Sequence, residues 1–448
     1  PLTPAKGTPD RWKTSFRPPE LSIRSGRSDF PEPHFLPAHL GPRFRFLHVE
    51  GLTGAKAGAL NCALGHTDPA AELVAVVDAD YQVEPDFLIA TVAYFNDPAT
   101  GFVQSPHAYR DWESSTYLTM CRWEYAHFFA TQLVSRNERV AALTVGTMCV
   151  IRRQALERAG GWAEWCLTED SELAVRIHAL GYTSVYLTEV YGRGLIPDTF
   201  AGYKTQRFRW TYGPVQELRR HFRLFLPRRW RQASELSVAQ RLHHATHGIG
   251  RANMGLGLAA MPWGATTAAS MVAHGEVVAV ARPLWFAATA VLVGGMTLRW
   301  LSYRVLLGAR LRHTLGAIVA SAALAHTVGV AALFGVLGRE VPWRRTDKFR
   351  RPGRGIRALR AVRTEAVLAG GCFVFATVGF AAMPGTGVAT MLLVGIALHG
   401  LIYAAGVVMT LLGERDLRRV VPPPADKVIP MGTRDADPLA RALGAAEG

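Results

Sequence analysis

The run Leu73-Val74-Ala75-Val76-Val77-Asp78-Ala79-Asp80 decides how this chain is read. Five consecutive apolar residues fit a strand buried on both faces of a parallel sheet. The run ends on two acids, and at a strand end residues i and i+2 point to the same side. Asp78 and Asp80 so placed can share a divalent cation and its diphosphate. Mg2+ suits that task, because it takes one or two carboxylates together with phosphate oxygens. An Asp after a strand also caps the next helix, so the pair alone leaves two readings open.

Working outward, residues 44–49 alternate like a strand and 55–64 suit a helix. A helix is expected after Pro85, with the proline at its first position. Strands are expected at 101–104 and 145–151, and helices at 153–159, 169–180 and 199–212. The alternation predicts an α/β domain with a mainly parallel sheet. In such sheets the site lies beyond the carboxyl ends of the strands.

A chain of 448 residues is too long for one ordinary core, and two regions are expected. Residues 44–216 read as the α/β domain. From 246 to 412, apolar stretches at roughly 247–273, 277–298, 314–338, 366–383 and 387–412 alternate with basic patches. Each is near the ~20 residues that cross ~30 Å of hydrocarbon as helix. The third has basic loops on both sides, so under the positive-inside rule it enters and returns, or lies in the interface. Four crossings would leave the α/β domain and the tail, 413–448, both in the cytoplasm.

Between the regions, 217–245 reads as an interfacial amphipathic linker, or as an ordinary solvated helix; residues 218–231 mix Leu, Phe and Trp with six arginines. The net charge of +15 raises nucleic acid as a partner. However, Arg299, Arg304, Arg310 and Arg312, and the basic run 344–363, sit beside apolar stretches. The expected partner is therefore a bilayer, with no nucleic acid. The five cysteines show no CxxC pair and no zinc spacing. Residues 1–43 are rich in Pro and Arg, without periodicity or an apolar segment, and are expected to be irregular.

Two further constellations carry chemistry. Thr168-Glu169-Asp170 opens the helix expected at 169–180. It is either a cap with acids favourable to the helix dipole, or a general base: a sugar hydroxyl attacking an anomeric carbon must lose its proton, and a placed carboxylate contributes roughly 10²–10⁴-fold. In Gln206-Arg207-Phe208-Arg209-Trp210, residues 206, 209 and 210 share one helical face. That face offers an amide, a guanidinium for phosphate and an indole for a sugar ring, unless it is simply the face of an amphipathic helix.

The order DxD, TED, QxxRW and then membrane-type segments resembles the processive β-glycosyltransferases of glycosyltransferase family 2, the cellulose-synthase-like group. Other stretches are similar to the family too: Gly54-Ala55-Lys56-Ala57-Gly58-Ala59-Leu60-Asn61 to its lysine-bearing segment beside the nucleotide, Val103-Gln104-Ser105-Pro106-His107 to its VQTPH stretch, and Val145-Gly146-Thr147-Met148-Cys149 to its acceptor-side strand. Gly194-Leu195-Ile196-Pro197-Asp198-Thr199-Phe200 resembles the lead into QxxRW, and Pro342 to Lys348 a W-x-x-T-x-K element after a membrane segment.

The resemblance implies a GT-A-like nucleotide-sugar domain followed by an all-α transmembrane region, in a multi-pass protein of the plasma or inner membrane. It implies inverting, metal-assisted transfer from a nucleotide-sugar, a UDP-sugar foremost, to a growing β-linked glycan. Asp80, assisted by Asp78, would hold Mg2+ or Mn2+, with Lys56 and Arg209 at the donor. Asp170 would be the base and Glu169 its support; Gln206, Trp210 and His107 would meet the acceptor. The family's opening strand, Tyr-Asn-Glu-like turn and further Asp have no counterpart in 1–43, so the domain is expected to be incomplete and the chain a fragment or foreign at its start. Two other readings stay open: transfer of a single sugar to a polyprenyl phosphate or lipid, and an inactive truncated homologue serving as a membrane scaffold.

Overall fold

A computed structural model describes residues 45–230, 232–274, 282–346, 348, 356–382 and 387–419. The irregular segment expected at 1–43 and the tail beyond 419 lie outside the described residues.

Among the described residues, seven short strands form two sheets. The larger has the order β1 (Leu73–Val76), β5 (Cys149–Arg152), β3 (Thr100–Gln104), β6 (Thr183–Tyr186). The smaller has the order β2 (Gln82–Val83), β7 (Gly192–Gly194), β4 (Ala108–Tyr109). The expectation of a mainly parallel sheet is corrected: β5 runs antiparallel to both neighbours, and only β3 with β6 is parallel in the larger sheet. β5 enters between β1 and β3 after a long helical excursion, from the opposite end. The valine-rich run is likewise not doubly buried. It forms a sheet edge, with Ala75 exposed and Val77 at 41%. The strand buried at every position is β3.

This topology positions the site. Val76 and Gln104 both stand opposite Cys149. The carboxyl ends of β1 and β3 therefore meet the amino end of β5, and three loops converge there. Residues 145–148, expected as strand, form one of these loops, with positive φ at Gly146 and Met148. The expected strand at 44–49 is extended coil over its described part.

Helices α1 (Ala55–Gly65), α2 (Phe87–Val92), α3 (Thr116–His127), α4 (Leu133–Asn137), α5 (Arg153–Arg158) and α6 (Glu169–Ala179) complete the α/β region. Pro85 precedes the N-cap Asp86 instead of opening α2. Phe102, Leu133, Leu143, Ile151, Leu156, Leu173 and Ile177 fill the main core. Four of the five cysteines are buried, and all are free thiols.

A 26-residue helix, α7 (Phe200–Phe225), leaves this region and runs past its Pro214. Then come α8 (Val238–His274), α9 (Arg282–Leu301), α10 (Leu311–Ala323), α11 (Ala325–Leu337), α12 (Arg363–Ala382) and α13 (Gly387–Arg419). Among the described residues two helices, Arg360–Ala382 and Thr390–Arg419, are long and apolar enough to cross a membrane. The third apolar stretch is broken into α10 and α11, bent by 46°. The helices are bound to the α/β region by buried polar contacts. Asp416 accepts from Ser115 Oγ and the Tyr117 amide at the start of α3, and Glu365 pairs with Lys204 on α7.

Candidate active site

At the meeting of the three loops lies a cavity of about 200 Å³, lined by Lys56, Asp78, Asp80, His107, Glu169, Asp170, Gln206, Arg209 and Trp210 among others. All nine site residues read from the sequence are thus brought together.

Asp78 and Asp80 follow β1. The Asp78 amide donates to Thr147 Oγ1 at 2.9 Å, and its Oδ1 accepts from Lys56 Nζ at 2.6 Å. Lys56 also donates to the Gly146 carbonyl at 2.7 Å. Gly146 has φ +82°, and a Cβ there would stand 2.8 Å from Asp170 Oδ2 and 3.2 Å from Lys56 Nζ. Only glycine lets the loop lie this close to both charges. Gln104 fastens the same loop, donating to the carbonyls of Thr147 and Met148 and accepting from the Val145 amide.

Asp80 Oδ2 accepts from the Leu195 amide at 2.9 Å and from Lys348 Nζ at 2.5 Å. These hydrogen bonds, Lys348 first, hold its carboxyl below the usual range against the opposing effect of burial. Asp80 is therefore an anion with a cation already on it. Among the described residues no cluster of three or more His, Cys, Asp or Glu forms a metal site. Two carboxylates and no third protein ligand is the donor set that suits Mg2+ or Mn2+ arriving with a diphosphate, so the residues fit such an ion.

The TED turn opens α6. Thr168 does not cap it with its side chain; Oγ1 instead donates to Glu217 Oε1 on α7 at 2.7 Å. Ser171 Oγ donates to the same oxygen. Gly213 faces Thr168 so closely that any side chain would collide. That contact brings α7, and QxxRW with it, onto the TED turn. Burial pushes the Glu217 carboxyl up to about 8, so its role here is a neutral tether at ordinary pH.

Asp170 Oδ1 accepts the Ser171 amide at 2.8 Å, which leaves Oδ2 toward Gly146. Burial raises the Asp170 carboxyl, with Lys56 opposing. Burial and the Asp170 charge push Glu169 up to about 7. Both carboxyls thus titrate nearer neutrality than ordinary ones.

On α7, Arg209 Nη2 donates to Thr346 Oγ1 at 2.8 Å and its guanidinium lies 5.2 Å from the Trp343 ring centre. Glu169, Asp170 and Asp78 all act on its charge. Gln206 accepts from the buried Tyr125 hydroxyl, which turns its carbonyl oxygen into the core. The Trp210 ring stands edge-on to Tyr125 at 5.4 Å and 6.4 Å from His107. Burial pushes His107 down to about 4, so it is a neutral imidazole at ordinary pH.

Sequence reasoning noticed Trp343, Thr346 and Lys348 as part of a motif but gave them no part in the site. The spacing of the motif was the available signal, yet nothing local says that a segment after α11 folds back onto Asp80. Gln104 and Thr147, which position the loops, stood in family-like stretches but were given no role, and Glu217 lay outside every motif.

The model of the family described as "Glycosyl transferase family group 2" matches residues 73–337, more than half of the chain. A probable glucomannan 4-beta-mannosyltransferase 1 of Arabidopsis thaliana is 34% identical over 183 residues, 40% of this chain and 33% of that protein. The glucomannan 4-beta-mannosyltransferase 1 of Oryza sativa subsp. japonica is 32% identical over 187 residues, 41% of this chain and 36% of that protein. The aligned part thus spans about a third of these curated relatives. A solved mannosyltransferase from Pyrobaculum calidifontis, in complex with GDP-Man and Mn2+, is 21% identical with a TM-score of 0.39, covering 64% of this chain and 67% of that one. With its model matched over more than half of the chain, this chain belongs to glycosyl transferase family group 2.

Proposed function

We propose that the chain transfers a sugar, with inversion, from a nucleotide-sugar to the end of a growing β-linked glycan at the inner or plasma membrane, its α/β region on the cytoplasmic side. The observation that carries this reading is the meeting of two carboxylate pairs, Asp78 with Asp80 and Glu169 with Asp170, across Lys56 and Arg209. One pair with the two cations suits a diphosphate; the other suits a hydroxyl that must lose a proton. Relatives described as glucomannan 4-beta-mannosyltransferases make mannose the first donor sugar to try.

In this mechanism Asp78 and Asp80 would hold Mg2+ or Mn2+, which would supply positive charge to offset that of a diphosphate leaving group. Lys56 and Arg209 hold the phosphate oxygens and fix the donor's orientation. Trp210 offers a ring face to the acceptor sugar, with neutral His107 and Gln206 beside it. The acceptor hydroxyl oxygen forms its bond to the anomeric carbon as the bond to the diphosphate oxygen breaks. The hydroxyl proton goes to Asp170 Oδ2, and Glu169 keeps the surrounding charge in place.

The test supplies membranes containing the chain with one labelled donor at a time, UDP-glucose, UDP-N-acetylglucosamine or GDP-mannose, and analyses the product. A β-linked polymer from one donor is expected. A product of one sugar on a lipid would replace polymer synthesis with single transfer, and no product from any donor would reject the reading for this chain.

A further inference from the structure

Away from the reaction centre, a pocket of about 460 Å³ opens between the helical turn Phe128–Gln132 with α4 on one side and the first turns of α8 on the other. Arg136, His243, His247 and Arg251 line it, and no acid does. Arg136 is only 7% exposed, yet its Nη1 has no hydrogen-bond partner. A guanidinium buried with an unused donor is unfavourable unless something anionic completes it. The nearby acids are engaged elsewhere. Glu217, neutral at ordinary pH, accepts from Thr168 and Ser171. Glu124, which shares a neighbouring cavity with Arg251, is held by Tyr203 and Arg207.

The surroundings say which anion. The rim is exposed at Gln132, Ser135, Thr246 and Met254. On α8 beside that rim, Leu242 and Ile249 are 60% and 54% exposed. A charged floor next to an open apolar helix side fits an amphiphile better than a free ion. Inward, His247 and Arg251 also line a narrower cavity that reaches Asp170 and Trp210. The pocket therefore adjoins the acceptor side of the reaction centre.

We infer that this pocket seats the phosphate of a membrane lipid, on Arg136 and Arg251, with the lipid chains lying along the exposed apolar side of α8. Two guanidinium groups present the fork geometry that phosphate oxygens accept, and His243 and His247 add ring donors. This goes beyond the transfer reaction and does not depend on it.

The test follows the melting of the purified full chain in detergent during titration with dioctanoyl phosphatidic acid. A saturable rise is expected, and none with dioctanoylglycerol, which lacks only the phosphate. Arg136→Gln should weaken the apparent affinity about tenfold or more. Thr246→Glu, which sets a carboxylate at the exposed rim without emptying the interior, should do the same and guards against a folding defect in the first variant. Arg139→Gln, an exposed arginine outside the lining, should bind as the unaltered chain does. An equal rise with inorganic phosphate alone would make the occupant a soluble anion and overturn the lipid assignment. An equal response to dioctanoylglycerol, unchanged binding in both pocket variants, or equal weakening by Arg139→Gln would overturn the phosphate site itself.

Discussion

The α/β region and the helical region treat apolar side chains in opposite ways. In the first they close on one another: Phe102, Leu133 and Leu143 are at most 1% exposed. In the second many face outward, with Val367, Val374 and Val378 at 69, 65 and 61%. In water such a surface is an interaction or aggregation site. Around helices long enough to span, it is what a hydrocarbon solvent selects. Charge is distributed the other way. The α/β region concentrates charged groups in one cavity, whereas the helical region uses buried acids such as Asp416 and Glu365 to hold itself to the start of α3 and to α7. Substitutions in the cavity should therefore stop chemistry without unfolding the protein.

The sharpest test of that division is the pair Asp80→Ala and Asp170→Asn. Asp170→Asn keeps shape but cannot take a proton, and transfer should fall by roughly 10²-fold or more while donor binding persists. Asp80→Ala should abolish both transfer and metal-dependent donor binding. Neither should shift the melting temperature much. If either variant unfolds instead, the cavity is part of the scaffold and the division fails.

Trp210→Ala comes next, because the ring sits on the boundary between site and core, against Tyr125 and His107. If it holds the acceptor, polymer length should drop strongly while donor affinity survives. A packing tryptophan would behave differently, costing about 3–5 kcal/mol of stability and losing binding and transfer together. Product length, donor affinity and melting temperature measured on one preparation separate the two.

What was legible in the sequence follows the same division. The helices at 55–65 and 169–179 were readable from local spacing. Spacing also marked Asp78, Asp80, Glu169, Asp170, Gln206, Arg209 and Trp210 as candidates that line one cavity, whereas Lys56 and His107 entered only with the family resemblance. The direction of β5 was not, since an apolar run such as 149–151 packs equally well in either direction and only the path of the chain before it decides. The edge position of β1 was hidden for a related reason: Leu73 to Val77 reads as doubly buried whether or not strands flank it on both sides. Lys348 is 268 residues from Asp80 and no periodicity joins them.

Lys348 also tests whether the helical region contributes to the site, as its segment follows α11. Its ammonium and a metal ion would both use Asp80 Oδ2. Lys348→Met should therefore tighten Mn2+ binding, measured by calorimetry, by up to about fivefold, the equivalent of one modest ion pair. Unchanged affinity would mean that the ammonium moves aside freely and that the second region only supports the first.

The smallest expected effect concerns the paired acids of the TED turn. Burial raises Asp170, and burial with the Asp170 charge pushes Glu169 up to about 7. A base must be ionised, so a raised pKa moves the acid limb of the rate profile to higher pH than an ordinary Asp would give: activity is full above that pKa and is lost as pH falls through it. Lys56 works in the other direction, favouring both ionised carboxylates. Glu169→Gln removes one negative charge beside the base and leaves Lys56 in place. The acid limb should then move to lower pH, by up to about one unit, with the plateau rate little changed. If the plateau collapses and the limb stays where it was, Glu169 is the proton acceptor and Asp170 its support. A limb that moves with the plateau intact keeps the proton on Asp170, the carboxylate whose Oδ1 is held by the Ser171 amide and whose Oδ2 lies against Gly146.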